Sequence, residues 1–357
     1  MQSLPDVTPK FRKQPEGTDW PTQQWPRGTS AHQSELEAVV DALFANESVG
    51  ATNAVVVIQG GQVLVERYGG VKEFFDRDPE PITADSPLLS WSMAKSMGHA
   101  LVGTLVDAGV LDPHAPAAVP EWSAPDDPRH AITLADLLAM RDGLAFSEVY
   151  ELGQTSHVVE MLFGEGKPDM AHYTASLPLA HAPGTFFNYS SGTSNVISRI
   201  VADQVGYADD YQRYLQSRLF GPLGMSSAEA SFDERGVFIA SSFVHATALD
   251  FAKFGLLYLR GGEWDGERLL SEEWAATAQV PVSLDVEGGL GNYYSWQWWV
   301  TGDQYGTYWA NGYEGQMISV VPALDALILR FGHTPSEHYA DLYAWRREVL
   351  DVLAKNA

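Results

Sequence analysis

The sequence predicts an α+β fold: an antiparallel sheet flanked by N- and C-terminal helices, with a mainly helical lobe inserted between its strands. Three observations predict it. Strand-like segments joined by tight turns stand near the start of the chain, Ala54–Ile58 and Gln62–Tyr68 around Gly60-Gly61. A second strand set, from Tyr293 to Phe331, stands near the end. Between them the apolar residues recur at helical spacing.

Taken in order, residues 1–30 carry Pro5, Pro9, Pro15, Pro21 and Pro26 and read as an extended arm, wrapped on the body if it is ordered at all. Ser34 is placed to cap a helix from Glu35 to Phe44, with Leu36, Val39, Val40, Leu43 and Phe44 on one side. The glycine-turned hairpin follows, then a polar loop from Gly69 to Ser86. A helix begins near Ser92 and ends near Gly109. Thr133 and Asp136 bracket a capped start before Leu137-Leu138, closed by Gly143. Further helical stretches run over Val158–Phe163, Gly192–Val205, Asp209–Phe220 and Ala248–Leu259, and Ser271 caps Glu272–Ala278. Strands over Tyr293–Thr301, Tyr305–Trp309, Met317–Val321 and Ala326–Phe331 precede a last helix, Ser336–Ala354. Residues 31–90 and 285–357 thus form an α/β lobe and residues 91–284 a helical one. Ligand sites favour such a border.

Composition narrows the function. The 22 basic and 46 acidic residues give a net charge of −24, which repels nucleic acid and anionic lipid. The chain has no cysteine, which excludes disulfides, thiol nucleophiles and thiolate-bound zinc. No apolar run approaches the roughly 18 residues of a membrane span, and the first 30 residues lack a signal-peptide pattern, so a cytoplasmic location is expected.

The chemistry gathers in three places. Ser92 and Lys95 stand at i and i+3 where a helix begins, so one face carries both. Free backbone N–H groups and the helix dipole there favour negative charge. A serine nucleophile needs a neighbouring base and fixed donors for its oxyanion. Alone, the pair reads more readily as a capped, solvated helix start. The second place is Asn188-Tyr189-Ser190-Ser191-Gly192, at a loop-to-helix junction; alone, Tyr189 reads as an interlobe core residue. The third is Ala310-Asn311-Gly312-Tyr313, before a strand, where Gly312 lets a backbone approach a ligand.

Together the three resemble the penicillin-recognising serine hydrolases, which include class C β-lactamases, DD-peptidases, family VIII esterases and nylon-oligomer hydrolases. Ser92 and Lys95 match the family's Ser-x-x-Lys, and Tyr189 and Ser191 its Tyr-Ser-x or Tyr-x-Asn motif. Ala310-Asn311-Gly312 stands in place of Lys/His-x-Gly. The resemblance covers residues 34 to 350 or so and is nearest to the esterase and 6-aminohexanoate-dimer-hydrolase branch. It implies a β-lactamase/transpeptidase-like fold and an acyl-enzyme on Ser92. It also implies proton transfer by Tyr189 and Lys95, and an oxyanion hole from the backbone N–H groups of Ser92 and Tyr313. Ala310 departs from the family, whose cation at that position is implied to hold a substrate carboxylate. The expected substrates are therefore small esters or amides. The alternatives are a β-lactamase or DD-peptidase, and a non-catalytic binding or sensor protein of the same fold.

Two further expectations concern the site. A lysine about 4 Å from a phenol, at an effective dielectric near 20, supplies about 4 kcal/mol, enough to bring Tyr189 from about 10 to near 7. One of Trp296, Trp298 and Trp299 is expected to line the substrate pocket with Tyr313, Ser191, Asn311 and Gly312; period-2 alternation puts Trp296 and Trp298 on one face. The sequence has no Gly-x-Ser-x-Gly elbow and no His-Glu-x-x-His, so neither a Ser-His-Asp hydrolase nor a metal site is expected. No metal or cofactor is implied. The expected partners are the ester or amide substrate and, at most, a second copy in a homodimer, with neither nucleic acid nor membrane.

Overall fold

The computed structural model describes residues 4–72, 80–150, 156–284 and 293–356. Its centre is an eight-stranded antiparallel sheet. The strands are β1 (Ala51–Gln59), β2 (Gln62–Tyr68), β3 (Ser283–Leu284), β4 (Tyr293–Tyr294), β5 (Trp299–Val300), β6 (Tyr308–Gly312), β7 (Gln316–Val321) and β8 (Ala326–His333). They lie in the order β3-β4-β5-β6-β7-β8-β1-β2. The first strand therefore pairs with the last, Val56 opposite Leu329, and both ends of the chain close one sheet.

β1 is apolar without a break from Ala54 to Ile58 because both faces of the sheet are covered. Ala54, Val56 and Ile58 join Leu327, Leu329 and Phe331 in the core shared with the inserted helices. Val55 and Val57 join Ile328 beneath helices α1 (Gln33–Ala45) and, at the chain's end, Tyr339–Ala354. The inserted lobe supplies α2 (Ala94–Asp107), α3 (Leu134–Leu138), α4 (Ser191–Val205) and α5 (Ala248–Leu259), and the C-terminal helix is α6. Gly255 lets α5 lie close to the sheet, since a Cβ there would come within 2.8 Å of Ile318 Cγ2. α2 is buried at every residue from Ala94 to Leu105, as a helix enclosed on all sides must be.

Local signals place several boundaries. Thr133 and Asp136 form a reciprocal capping box before α3, and Ser271 accepts from Trp274 N at 3.0 Å at the next capped start. Ser34 is not a cap. α1 begins at Gln33, and Ser30 organises the turn by accepting from His32 N at 2.9 Å and donating its own N–H to Gln33 Oε1 at 3.2 Å.

The Tyr293–Thr301 segment is two short strands rather than one. Gln297 takes φ 59° at a tight corner between them, and Ser295 N donates to Trp298 O at 2.9 Å. The sheet also begins earlier than the expected lobe border, at Ser283; residues 285–292 lie outside the described residues, as do 73–79 of the polar loop.

The described part of the arm lies on the body. Lys10 exchanges two hydrogen bonds with the Gln279 amide at 2.9 and 3.0 Å. Arg12 Nε donates to Pro322 O at 2.6 Å, and the buried Trp25 donates to Leu249 O at 3.0 Å. Among the described residues no helix is long and apolar enough to cross a membrane.

One buried group makes the fold sensitive to acid. His99 of α2 is enclosed by Tyr258 Oη at 2.6 Å, Thr277 Oγ1 at 2.9 Å and a stacked Trp274 ring. Burial pushes its pKa down to about 3, whereas the unfolded chain titrates near 6.5. Between these values the unfolded state binds the extra proton, so stability falls as pH drops below about 6.5, at up to about 1.4 kcal/mol per unit. Urea unfolding at pH 7, 6 and 5 is expected to show this decline, and His99→Gln to remove that part of the slope. An unchanged slope in the variant would assign the acid sensitivity to other groups.

Candidate active site

Ser92 sits in a single 3-10 turn, Trp91–Met93, that feeds directly into α2. The turn is fixed before any ligand arrives. Ser90 N donates to Val244 O at 2.9 Å, and Ser90 Oγ donates to Ser242 O at 3.0 Å while accepting from Val244 N at 3.0 Å. Trp91 adopts φ 44°, an unusual conformation for a bulky residue. Its ring is packed between Tyr313 and Phe243, with centroids at 5.6 and 5.9 Å.

Lys95, one turn along, is 2% exposed. Its Nζ lies 2.9 Å from Ser92 Oγ, 3.0 Å from Ser191 Oγ and 2.9 Å from Ser241 O. These are three acceptors for the three N–H groups of an ammonium. Burial disfavours the charge and lowers the pKa to about 8, while the Glu148 carboxylate pulls it back up.

The second motif arrives on the start of α4. Ser190 caps that helix by accepting from Thr193 N at 3.0 Å, which leaves Ser191 as the first helical residue, facing Lys95. Glu148 comes from a separate loop and clasps the same spot. Its carboxylate accepts from Ser191 N at 2.8 Å, Ser191 Oγ at 2.6 Å and Tyr150 Oη at 2.9 Å. Tyr189 reaches Ser92 through its hydroxyl, and its ring centroid is 4.9 Å from Lys95 Nζ.

The electrostatics of Tyr189 differ from the sequence expectation. Its hydroxyl is held well above the usual phenol range, first by desolvation and then by Glu148; the hydrogen bond with Ser92 opposes this and is outweighed. Glu148 is a carboxylate that no motif announces, and its charge adds to burial in raising the pKa of the phenol. Tyr189 is therefore a neutral phenol at ordinary pH.

The third motif closes the cleft. β6 passes so near the nucleophile turn that a Cβ on Gly312 would come within 2.4 Å of Ser90 O, so glycine is required there. The cleft has a volume of about 510 Å³ and is lined by Ser92, Glu148, Val149, Tyr150, Tyr189, Trp299, Asn311, Gly312, Tyr313, Ser336 and Tyr339. It contains five aromatic rings and a carboxylate, and no cation among the described residues. A larger groove of about 740 Å³, between the 301–305 loop and α6, holds no part of this constellation.

The structure thus brings Ser92, Lys95, Tyr189, Ser191, Asn311, Gly312 and Tyr313 to one place. It does not bring Trp296 or Trp298. Trp298 is fully buried against Phe254, Tyr258 and Tyr308, and Trp296 packs on Trp274. The corner at Gln297 breaks the alternation that paired them, and Trp299 is the tryptophan at the cleft, 5.4 Å from the Tyr189 ring. Ala310 is buried at 1% and offers nothing to a ligand. The sequence does not mark Glu148, Tyr150, Ser336 or Tyr339 as site residues, since each comes from a loop or helix start with no motif of its own.

A family model described as "Beta-lactamase" matches residues 38–351. The 6-aminohexanoate-dimer hydrolase of Paenarthrobacter ureafaciens is 27% identical over 304 residues, covering 80% of this chain and 73% of that protein. A D-aminopeptidase of Cereibacter sphaeroides is 27% identical over 201 residues, 56% of this chain and 37% of its own length. Among solved structures, a Bacillus anthracis protein provisionally named a 6-aminohexanoate-dimer hydrolase superposes with a TM-score of 0.74 at 20% identity, over 97% of this chain and 90% of its own. A family VIII carboxylesterase superposes with a TM-score of 0.69 at 13% identity, over 92% and 98%. These two likenesses concern the fold.

Burial lowers the pKa of Lys95 and the charge of Glu148 raises it. Carbon-13 NMR of the lysine ε-carbons is expected to show one lysine titrating near 8. In Glu148→Gln the carboxylate that raises it is gone, so the midpoint is expected to move down, by about one unit for each 1.4 kcal/mol of lost interaction. A midpoint that stays put, or rises, would refute the assigned coupling.

Proposed function

Because the chain belongs to the β-lactamase family, we propose that it is a serine hydrolase cleaving small carboxylic esters or amides through an acyl-enzyme on Ser92. The observation that carries the reading is the 2.9 Å contact between Ser92 Oγ and a buried lysine amine whose pKa lies near 8. A lysine of that pKa is partly neutral at physiological pH and is matched to act as a base.

In this mechanism neutral Lys95 Nζ takes the hydroxyl proton as Ser92 Oγ bonds to the substrate carbonyl carbon. The backbone N–H groups of Ser92 and Tyr313 receive the oxyanion. Tyr189, kept neutral by its surroundings, donates its proton to the leaving alcohol or amine as the C–O or C–N bond breaks. The Lys95 ammonium returns a proton to Tyr189, which leaves an acyl ester on Ser92. Water then attacks the acyl carbon, giving its proton to the same base, and as the ester bond to Ser92 Oγ breaks, Lys95 returns that proton to Ser92 Oγ and the carboxylic acid leaves. The roles differ from the open choice left by the sequence: Lys95 is the base, and Tyr189 the acid.

The substrate class follows from what lines the cleft. Position 310 supplies no cation, and no other lining residue replaces it. A β-lactam or peptide C-terminal carboxylate would face Glu148 and aromatic rings instead of a counter-ion. Neutral acyl esters and linear amides suit such walls, as would a substrate bearing an ammonium. The names of the 6-aminohexanoate-dimer hydrolase and carboxylesterase relatives support this class over β-lactams.

Ser92→Ala is expected to lower p-nitrophenyl ester hydrolysis by about a thousandfold or more, with an unchanged circular dichroism spectrum. The wild-type kcat/KM profile is expected to rise with pH through an apparent pKa of about 8 as Lys95 loses its proton. In a panel of p-nitrophenyl esters, a linear 6-aminohexanoate dimer, nitrocefin and a D-alanyl peptide, the first two should be turned over far better than the last two. Full activity in Ser92→Ala would overturn the nucleophile, and a preference for nitrocefin would overturn the substrate class.

A further inference from the structure

The arm and the 260–272 segment enclose a second concavity, about 450 Å³ in volume. Four cations reach it, Arg12 and Lys13 from the arm and Arg260 and Arg268 from the body, against two carboxylates, Glu263 and Glu272. With Asp325, which pairs with Arg260, four cations stand against three carboxylates, a local positive excess in a chain with more than twice as many acidic as basic residues, 46 against 22.

The guanidinium groups are already held in place. Arg12 donates Nε and Nη2 to the Pro322 and Ala323 carbonyls, each at 2.6 Å. Arg268 donates Nη1 to the Gly261 and Leu270 carbonyls at 2.8 and 3.3 Å, and its Nη2 stands 3.8 Å from Glu263. Arg260 pairs with Asp325 through Nη1 and donates Nε to Gln14 at 2.9 Å. Its side chain is 1% exposed, yet Nη2 has no hydrogen-bond partner. Lys13 is exposed, and its ammonium makes no hydrogen bond or ion pair among the described residues.

We propose that this cleft binds a small multivalent oxyanion, a phosphate or a polycarboxylate, which fastens the arm to the body. A buried charged donor without an acceptor is unfavourable, and an oxyanion supplies acceptors to N–H groups that the chain leaves unused on Arg12, Arg260 and Arg268. Planar donors fixed beforehand lose little side-chain freedom on binding, and they match phosphate and carboxylate oxygens. The bound anion would also offset the repulsion of Arg12 and Lys13 by Arg260 and Arg268. The arm would then be held by ligand as well as by its direct contacts, and its docking would gain stability with ligand concentration. The site stands apart from the hydrolytic cleft and does not depend on the reaction assigned there.

The experiment uses the full chain, with inorganic phosphate and citrate as probes and sodium chloride at matched ionic strength as the reference. Phosphate or citrate is expected to raise the thermal midpoint saturably, to slow chymotrypsin cleavage after Phe11 and Trp20, and to bind at one site per chain by calorimetry. The better of the two probes identifies the source of the anion. The Lys13→Gln/Arg268→Gln variant is expected to retain p-nitrophenyl ester hydrolysis and to bind about tenfold more weakly or worse, a loss of about 1.4 kcal/mol. Equal stabilisation by chloride, or undiminished binding by the variant, would overturn the proposal.

Discussion

The site depends on one buried amine. Lys95 Nζ is reached by oxygens from three separate parts of the chain: Ser92 on the nucleophile turn, Ser191 at the start of α4 and the Ser241 carbonyl. A lysine taken out of water must find acceptors for its N–H groups or lose its charge. Lys95 has both features in part, with three acceptors at hydrogen-bond distance and a depressed pKa. The three segments must therefore converge on one point, and most of the surrounding structure serves that convergence.

Gln297 shows how the convergence is held. From its corner between β4 and β5 it accepts through its carbonyl from Ser96 Oγ at 2.8 Å, one residue past Lys95. Its side-chain oxygen accepts from Ser194 Oγ at 2.8 Å, three residues past Ser191, and its amide donates to Leu138 O at 3.0 Å. One buried residue in a left-handed conformation thus ties α2, α3 and α4 to the sheet. Ser90 has the corresponding place on the other side, joining the nucleophile turn to the Ser242–Val244 segment. The close approach of Gly312 to the Ser90 carbonyl brings β6 against the same turn.

These relations explain what the sequence could and could not disclose. Ser92 and Lys95 are legible because i, i+3 spacing on a helix is a local property. Tyr189 and Ser191 are legible because a capped helix start leaves a recognisable run of small polar residues. The sheet is legible from glycine turns and from the apolar runs Ala54–Ile58 of β1 and Ala326–Leu329 of β8, which fit burial on both faces. Glu148 is not, because its role comes from a loop folding back onto a helix start 43 residues away. Trp296 and Trp298 were misplaced for a related reason: alternation holds only while the chain stays extended, and nothing in Ser295-Trp296-Gln297-Trp298 signals a non-glycine residue with positive φ. Ser34 failed as a cap since Ser30 and Gln33 settle the helix start two residues earlier through side-chain contacts.

Glu148 has a further consequence for the chemistry. Burial alone can take a lysine several units below its ordinary value, and a base that weak would draw a serine proton poorly. The nearby carboxylate opposes that fall and leaves Lys95 near 8. The same charge acts in the other direction on Tyr189, making its anion less accessible. In the proposed mechanism a single carboxylate thereby separates the two candidate proton carriers, raising the pKa of the amine and keeping the phenol protonated. It acts on both through its charge, and it is held in place by Ser191, whose N–H and hydroxyl both bind the carboxylate while its oxygen faces Lys95. The proposed division of labour between them then rests on where one negative charge is placed, and the residue types at positions 95 and 189 alone do not determine it.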